Sequence, residues 1–409
     1  MATLYSGGLV FDGASLLTDH AVLVDGARIE RVAPTAEFTG YEGERADTAG
    51  ATLLPGLFDC HVHLVCGGDS DPFGRLKTMA PGEITVLAME NAQATLAGGI
   101  TAVRDCGGKD YLEFAVRDAC NAGRLPGPAI SAAGRLICMT GGHGNSVGRV
   151  ADGVDDVVRA VREQIHAGSD LIKIMATGGV MTPGVNPEDA HYSAKEMAAG
   201  IAEGHRFHKP CASHAQGREG ILNAVRGGID SIEHGIFMDD TCIEEMIERG
   251  TYVVPTLAAI VNMLANAEHG IPDYIMEKAE RVAGVHRKAI TAFYKAGGRI
   301  AMGTDAGTPF NMHGENTFEL ACMVDVGMTS TDALIAGTAT AADLCQLGDR
   351  GRVADGAIAD FLLVNGNPID DIAAAADRTN HRAVIKDGAV YAGSLSLPNA
   401  PREVFSAAE

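Results

Sequence analysis

The sequence predicts an α/β protein: a (β/α)8 TIM barrel carrying a small composite β-sandwich domain formed from both chain ends. Two patterns predict it. In the middle of the chain, short apolar runs alternate with helix-periodic stretches, and eight such units over about 300 residues suit a barrel. At the two ends, the pattern changes to short strands joined by Asp-Gly turns. At 409 residues the chain also exceeds the size at which single cores stop growing. The expected division is residues 1–54 for the first part of the sandwich, 55–348 for the barrel, and 349–409 for the second part and a C-terminal tail.

The N-terminal part opens with an apolar run from Leu4 to Phe11 and the turn Asp12-Gly13. Ala21 to Val24 then meets Asp25-Gly26, and Arg28 to Val32 alternates beyond it. The C-terminal part repeats this with Asp360 to Val364, Ala383 to Lys386, Asp387-Gly388 and Ala389 to Tyr391. The eight barrel strands are the run ending at His61 and His63, followed by Ile100–Asp105, Ala129–Ala133, Leu171–Met175, Cys211–Ala215, Ser231–His234, Tyr252–Pro255 and Arg299–Asp305. Stretches such as Val154 to Ala167, Ala194 to Phe207 and Glu277 to Ala296 carry helical periodicity. No G-x-G-x-x-G opens a helix, which disfavours an open dinucleotide-binding sheet.

Composition narrows the function classes. The formal charge is -21 and tryptophan is absent. An acidic surface repels phosphate backbones and anionic membranes, and few aromatics leave little for base stacking. We expect a small-molecule substrate, with neither a nucleic-acid nor a membrane partner. The nine cysteines lack paired spacing and read as buried free thiols. With no apolar run of membrane-spanning length, this predicts a cytoplasmic protein.

The ends of the predicted strands carry the chemistry. In a barrel, catalysis sits where the strands end. His61 and His63, at i and i+2, share one face of the first strand. Lys173 ends the fourth, His214 the fifth, His234 the sixth and Asp305 the eighth. Each interrupts an apolar run, and a buried ionisable group needs a partner. Imidazole and carboxylate converging on one mouth predict a divalent metal site. A lysine ammonium cannot ligate a metal, so Lys173 either forms a salt bridge or is carboxylated to an anionic carbamate, which needs a neutral amine.

This set resembles the amidohydrolase superfamily with a binuclear metal centre. The motif P-G-x-x-D-x-H-x-H is matched from Pro55 to His63. Lys173, Ser213-His214-Ala215, Glu233-His234-Gly235 and Gly303-Thr304-Asp305-Ala306-Gly307 match the later motifs. Gly141-Gly142-His143-Gly144, Lys173 to Gly179 and His313 to Asn316 are similar to the prolidase-like, zinc-dependent carboxypeptidase branch, which ochratoxin-hydrolysing amidases also resemble.

The resemblance implies two divalent metal ions, most simply zinc. His61, His63 and Asp305 hold one, His214 and His234 hold the other, and carboxylated Lys173 bridges them. It implies an amidase acting next to a free carboxylate, with Asp305 as general base then acid. Relatives cleaving neutral or cyclic amides, ureas or carbamates are the alternative. His143 is the candidate oxyanion donor, against a loop histidine of no catalytic role. Tyr192, with His191, is a candidate pocket residue, against a packing tyrosine and a solvent histidine; Arg149 is the candidate partner of a substrate carboxylate, against a surface salt bridge; His313 is a candidate for a substrate or ligand-supporting role, against a loop-structural one. The remaining histidines, His286 among them, lie in helical or loop stretches, and nearly all read as surface residues. Family members often form homo-oligomers, which gives the expectation for this chain.

Overall fold

The computed structural model describes residues 2–395, and the end of the expected C-terminal tail lies outside them. The chain divides into two compact units. One contains the described residues of Met1–Asp59, Gln93–Ala102 and Gly314–Glu409; the other is Cys60–Ala92 with Val103–His313.

The first unit joins both chain ends in one sheet. Strand Ala51–Pro55 pairs antiparallel with Phe361–Asn365, in the register Leu53↔Leu363 and Pro55↔Phe361. Because side chains alternate, Leu53, Phe361 and Leu363 share one face. They pack with Tyr5, Val10, Val22, Ile29 and Ile385 in a single buried cluster. The six-stranded sheet runs Ala389–Gly393, His381–Lys386, Phe361–Asn365, Ala51–Pro55, Leu9–Phe11, Leu16–Leu17. A four-stranded sheet runs Arg28–Pro34, His20–Asp25, Thr3–Ser6, Glu44–Asp47.

The expected single run from Leu4 to Phe11 is two strands in two sheets. Gly7 has φ +101°, and a Cβ on Gly8 would lie 2.3 Å from Thr48 O. That kink passes the chain from one sheet to the other, and only glycine fits it.

In the second unit, strands Ile172–Met175, Cys211–Ala215, Ser231–His234 and Tyr252–Val254 are parallel neighbours in that order. Their register sets Met175 beside His214 and Ala215 beside His234. Cys106 N–H donates to Val62 O (2.9 Å), Ala133 N–H to Asp105 O (2.9 Å) and Asp170 N–H to Ala132 O (2.9 Å). The Arg299–Asp305 segment is not a regular strand. It makes isolated bridges, Val253↔Ile300 on one side and Val62↔Ala306 on the other. Gly303 explains the close approach, since a Cβ there would lie 2.9 Å from His61 N. Helices on this unit start and stop on sequence signals. Ala194–Arg206 begins with a Ser193/Glu196 capping box, and Val154–Ala167 ends at Gly168 with φ +99°.

All nine cysteines are free, and eight are buried. Among the described residues, no helix is long and apolar enough to cross a membrane.

Phe361 is fully buried and meets Tyr5 edge-on at 5.7 Å between ring centroids. Phe361→Ala should destabilise the first unit by about 3–5 kcal/mol, read from denaturant unfolding followed by Tyr fluorescence.

Candidate metal centre

Six side chains predicted from strand ends converge in the second unit. His61, His63, Lys173, His214, His234 and Asp305 all line one cavity of about 240 Å³. His63 Nε2 lies 3.2 Å from Asp305 Oδ1, and His61 Nε2 lies 3.5 Å from it. Lys173 Nζ is 3.2 Å from His61 Nε2. The rings of His61 and His234 are 5.2 Å apart, and those of His214 and His234 are 4.6 Å apart.

Each imidazole is held by its outer nitrogen. His61 Nδ1–H donates to Glu233 Oε2 (2.8 Å) and His63 Nδ1–H to Gly107 O (2.7 Å). His214 Nε2–H donates to Gly178 O (2.9 Å). His234 Nδ1 meets Thr256 Oγ1 at 2.7 Å, and that hydroxyl gives its own proton to Pro255 O (2.7 Å). The threonine therefore accepts from His234. Carbonyl, carboxylate and committed hydroxyl are all acceptors, so in His61, His214 and His234 the other nitrogen keeps its lone pair, while His63 Nε2 faces the Asp305 carboxylate.

For His61, His214 and His234 the electrostatics agree with this assignment. Burial, then the Lys173 cation, holds His61 well below the ordinary histidine range. Burial and the neighbouring His143 do the same to His214. Burial takes His234 down to about 3. Burial opposes protonation of His63 too, but the Asp305 carboxylate beside it outweighs burial and raises the group. Burial pushes Asp305 up, yet His61 and His63 hold it below the carboxylate range. Asp305 Oδ1 is buried without a hydrogen-bond partner.

The donor set fits a divalent cation. Zinc–nitrogen bonds of about 2.0–2.1 Å give tetrahedral edges of roughly 3.3–3.4 Å, close to the spacing of His61, His63 and Asp305 donors. The orphaned carboxylate oxygen is the atom such an ion would satisfy.

The supporting layer was not read from sequence. Arg104 Nη2 donates to Glu233 Oε1 (2.7 Å), Ser231 Oγ to the same oxygen (2.6 Å), and Arg104 Nε to Cys60 O (2.6 Å). A buried guanidinium thus orients the carboxylate that orients His61. His286 is buried, not at the surface as expected, and its Nε2–H donates to His234 O (3.0 Å). His234, Thr256 and Asp305 have φ of +72°, +52° and +62°. Non-glycine residues rarely adopt this conformation, and such strain concentrates at functional sites. The turn lets Glu233 and His234, adjacent in sequence, both serve the site.

The expected substrate-binding residues divide. His143 lines the cavity, with its ring 4.4 Å from that of His214. Arg149 does not line it: Asp156 and Glu163 hold its guanidinium in hydrogen-bonded ion pairs (3.0 and 2.7 Å). Tyr192 is buried and donates to Ala151 O (2.8 Å), so it packs behind the site and does not face substrate. His313 is also buried, with Nε2–H donating to His63 O (3.2 Å). It supports the backbone at His63 and does not line the cavity. His191, named with Tyr192, is buried behind Gly142. The wall that sequence reading missed includes Phe73, Lys77, Leu136, Met181 and Tyr274.

Comparison with known proteins agrees with this geometry. The amidohydrolase family pattern matches residues 52–390, which include every convergent residue. The chain belongs to the amidohydrolase family. Among characterised amidohydrolases, it is 31% identical over 374 residues to ochratoxinase from Aspergillus niger, covering 83% of this chain and 76% of that one. Its fold is similar to a crystal structure of a Xaa-Pro dipeptidase with methionine in the active site, at TM-score 0.88 and 33% identity over 96% of this chain and 100% of that one. It is also similar to a prolidase complexed with N-methylphosphonate-L-proline, at TM-score 0.86 and 31% identity over 95% and 99% of the two chains. The chain is thus a hydrolase of this family, similar to its ochratoxinase-like and prolidase-like members.

Two outcomes follow for the centre. Glu233→Gln keeps the shape but weakens the anchor of His61, and should lower metal affinity roughly 10–100-fold in chelator competition. In metal-free protein, His234 and His143 titrate at about 3 and His286 and His313 at about 4, against 6.5 ordinarily. The unfolded chain then binds protons that the fold does not. Stability should fall as pH drops from 6.5 towards 4, partly offset by His63, and flat urea midpoints across that window would contradict the assignment.

Proposed function

We propose that this amidohydrolase cleaves an amide or peptide bond next to a free carboxylate, in a dipeptide or N-acyl amino acid, ochratoxin-like substrates included. The observation that carries the reading is the convergence of His61, His63, Lys173, His214, His234 and Asp305 on one cavity. We further infer that the eight strand segments close as a (β/α)8 barrel, with this cavity at the strands' C-terminal ends.

His61, His63 and Asp305 would hold one divalent cation, His214 and His234 a second, and Lys173 would bridge them as a carbamate. Zinc suits these ligands. Bound there, such ions supply Lewis acidity and lower the pKa of a water by many units. The protein's own groups do the rest. Asp305 takes the proton of the attacking water and returns it to the leaving amine. His143, on the cavity wall, donates to the oxygen that becomes negative as the carbonyl is attacked. Phe73, Leu136, Met181 and Tyr274 exclude water and contact the apolar part of the substrate. Lys77 lines the same cavity and is the positive group available to a carboxylate, since Arg149 is committed elsewhere.

Two similar structures hold amino-acid-like molecules, methionine in one and N-methylphosphonate-L-proline in the other, which supports a carboxylate-bearing substrate. The commitment of Arg149 favours a second reading, a neutral or cyclic amide, urea or carbamate. A panel of dipeptides, N-acyl amino acids and ochratoxin A, each with its C-terminal amide, separates the two. The expected result is cleavage of the acids and not the amides, with loss of at least 100-fold in kcat in Asp305→Asn. Equal cleavage of acids and amides would overturn the carboxylate requirement.

A further inference from the structure

Between strand Ile172–Met175 and helix Ala194–Arg206, the chain makes an irregular excursion pinched at its neck by the Thr177↔Ala190 bridge. Helix Asp273–Lys295 grips it. Tyr274, Lys278 and Arg281 stand at i, i+4 and i+7 and so share one face. Tyr274 Oη donates to Met181 O (3.3 Å), and Arg281 pairs with Glu188 (3.0 Å). Lys278 Nζ donates to Gly179 O (3.3 Å), Thr182 O (2.7 Å) and Val185 O (2.7 Å). An ammonium has three protons, and each has its own carbonyl. Burial, then Arg281, lowers its pKa.

The gripped loop reaches the site through one hydroxyl. Thr182 Oγ1 lies 2.8 Å from His143 Nδ1 and accepts Gly144 N–H at 3.4 Å. Among the described residues no carbonyl or carboxylate is hydrogen-bonded to the Thr182 hydroxyl, and His143 Nδ1 is the protein group placed to receive its proton. This reverses the arrangement at His61, His214 and His234, where acceptors hold the outer nitrogen and a lone pair remains. Gly179 makes room for the ring, because a Cβ there would lie 2.5 Å from His143 Nε2.

We propose that Lys278 and Thr182 are positioning residues that act through His143. The helix cation pins the loop, and the Thr182 hydroxyl donates to Nδ1, so that His143 carries its proton on Nε2 and serves as a hydrogen-bond donor where its neighbours are lone-pair ligands. The catalytic half of this inference rests on the amide-hydrolase reading above; the tautomer does not.

The test uses full-length protein labelled with 15N-histidine, with the His143 signals assigned by their absence in His143→Gln. Two-bond proton–nitrogen spectra should show protonated Nε2 and bare Nδ1 in the wild type. Thr182→Val should lose that single tautomer, and Thr182→Ser should keep it. Lys278→Met should broaden or mix the His143 signals. In turnover of an N-acyl amino acid, Thr182→Val should lower kcat roughly tenfold with KM little changed, and should add nothing in a His143→Gln background. A wild-type His143 protonated on Nδ1, or a tautomer indifferent to Thr182→Val, overturns the proposal. So does a kcat loss that persists undiminished without His143. If wild type cleaves no member of the acid panel, the substrate reading fails while the spectra still decide the tautomer.

Discussion

Four imidazoles, a carboxylate and a lysine amine lie within a few ångströms of one another, out of water, and the rest of the second unit is arranged around that fact. Such a cluster is costly as it stands: a buried cation is set against His61, whose ring resists protonation, and a carboxylate oxygen has no partner. A divalent cation resolves these conflicts together, because it takes lone pairs and negative charge and asks for no proton. The donor spacing around Asp305 is close to what a tetrahedral ion demands.

Precision comes from the layer behind. Each of the four rings is tied at its outer nitrogen to a backbone carbonyl, to a threonine whose proton is spent, or to Glu233. Glu233 in turn is held by Arg104 and Ser231. Removing the carboxylate alone would strand a buried guanidinium, so this relay is expected to tolerate little change. The left-handed backbone at His234, Thr256 and Asp305 belongs to the same design. It spends local strain to turn side chains inward at points where strand alternation would have sent them apart.

Much of this was legible in the sequence, and the limits have physical causes. His61, His63, His214, His234 and Asp305 are visible because an ionisable residue closing an apolar run is rarely accidental. The pairing of the two chain ends is visible because turn chemistry is local. The break at Gly7-Gly8 was missed, because a sheet change depends on Thr48 and Ala51 some forty residues away. Arg149 stood open between a substrate carboxylate and a surface salt bridge, because a cation's partner is set by the fold; here Asp156 and Glu163 hold it. Glu233 was hidden by being next to a ligand, where alternation predicts the opposite face. Its companion signal was Ser231 at i-2, which places both on the inward side. The grip of Lys278 on the 179–185 segment had no sequence signal, since three main-chain carbonyls carry no side-chain identity.

The central claim is that Lys173, as a carbamate, joins two cations held by the other five residues. Native mass spectrometry of protein produced with zinc and bicarbonate tests it directly. The account predicts a wild-type mass carrying two zinc ions and one added carbon dioxide, with the carbon dioxide absent and metal content reduced in Lys173→Ala. Two bound zinc ions on a chain whose Lys173 amine is unmodified would contradict it.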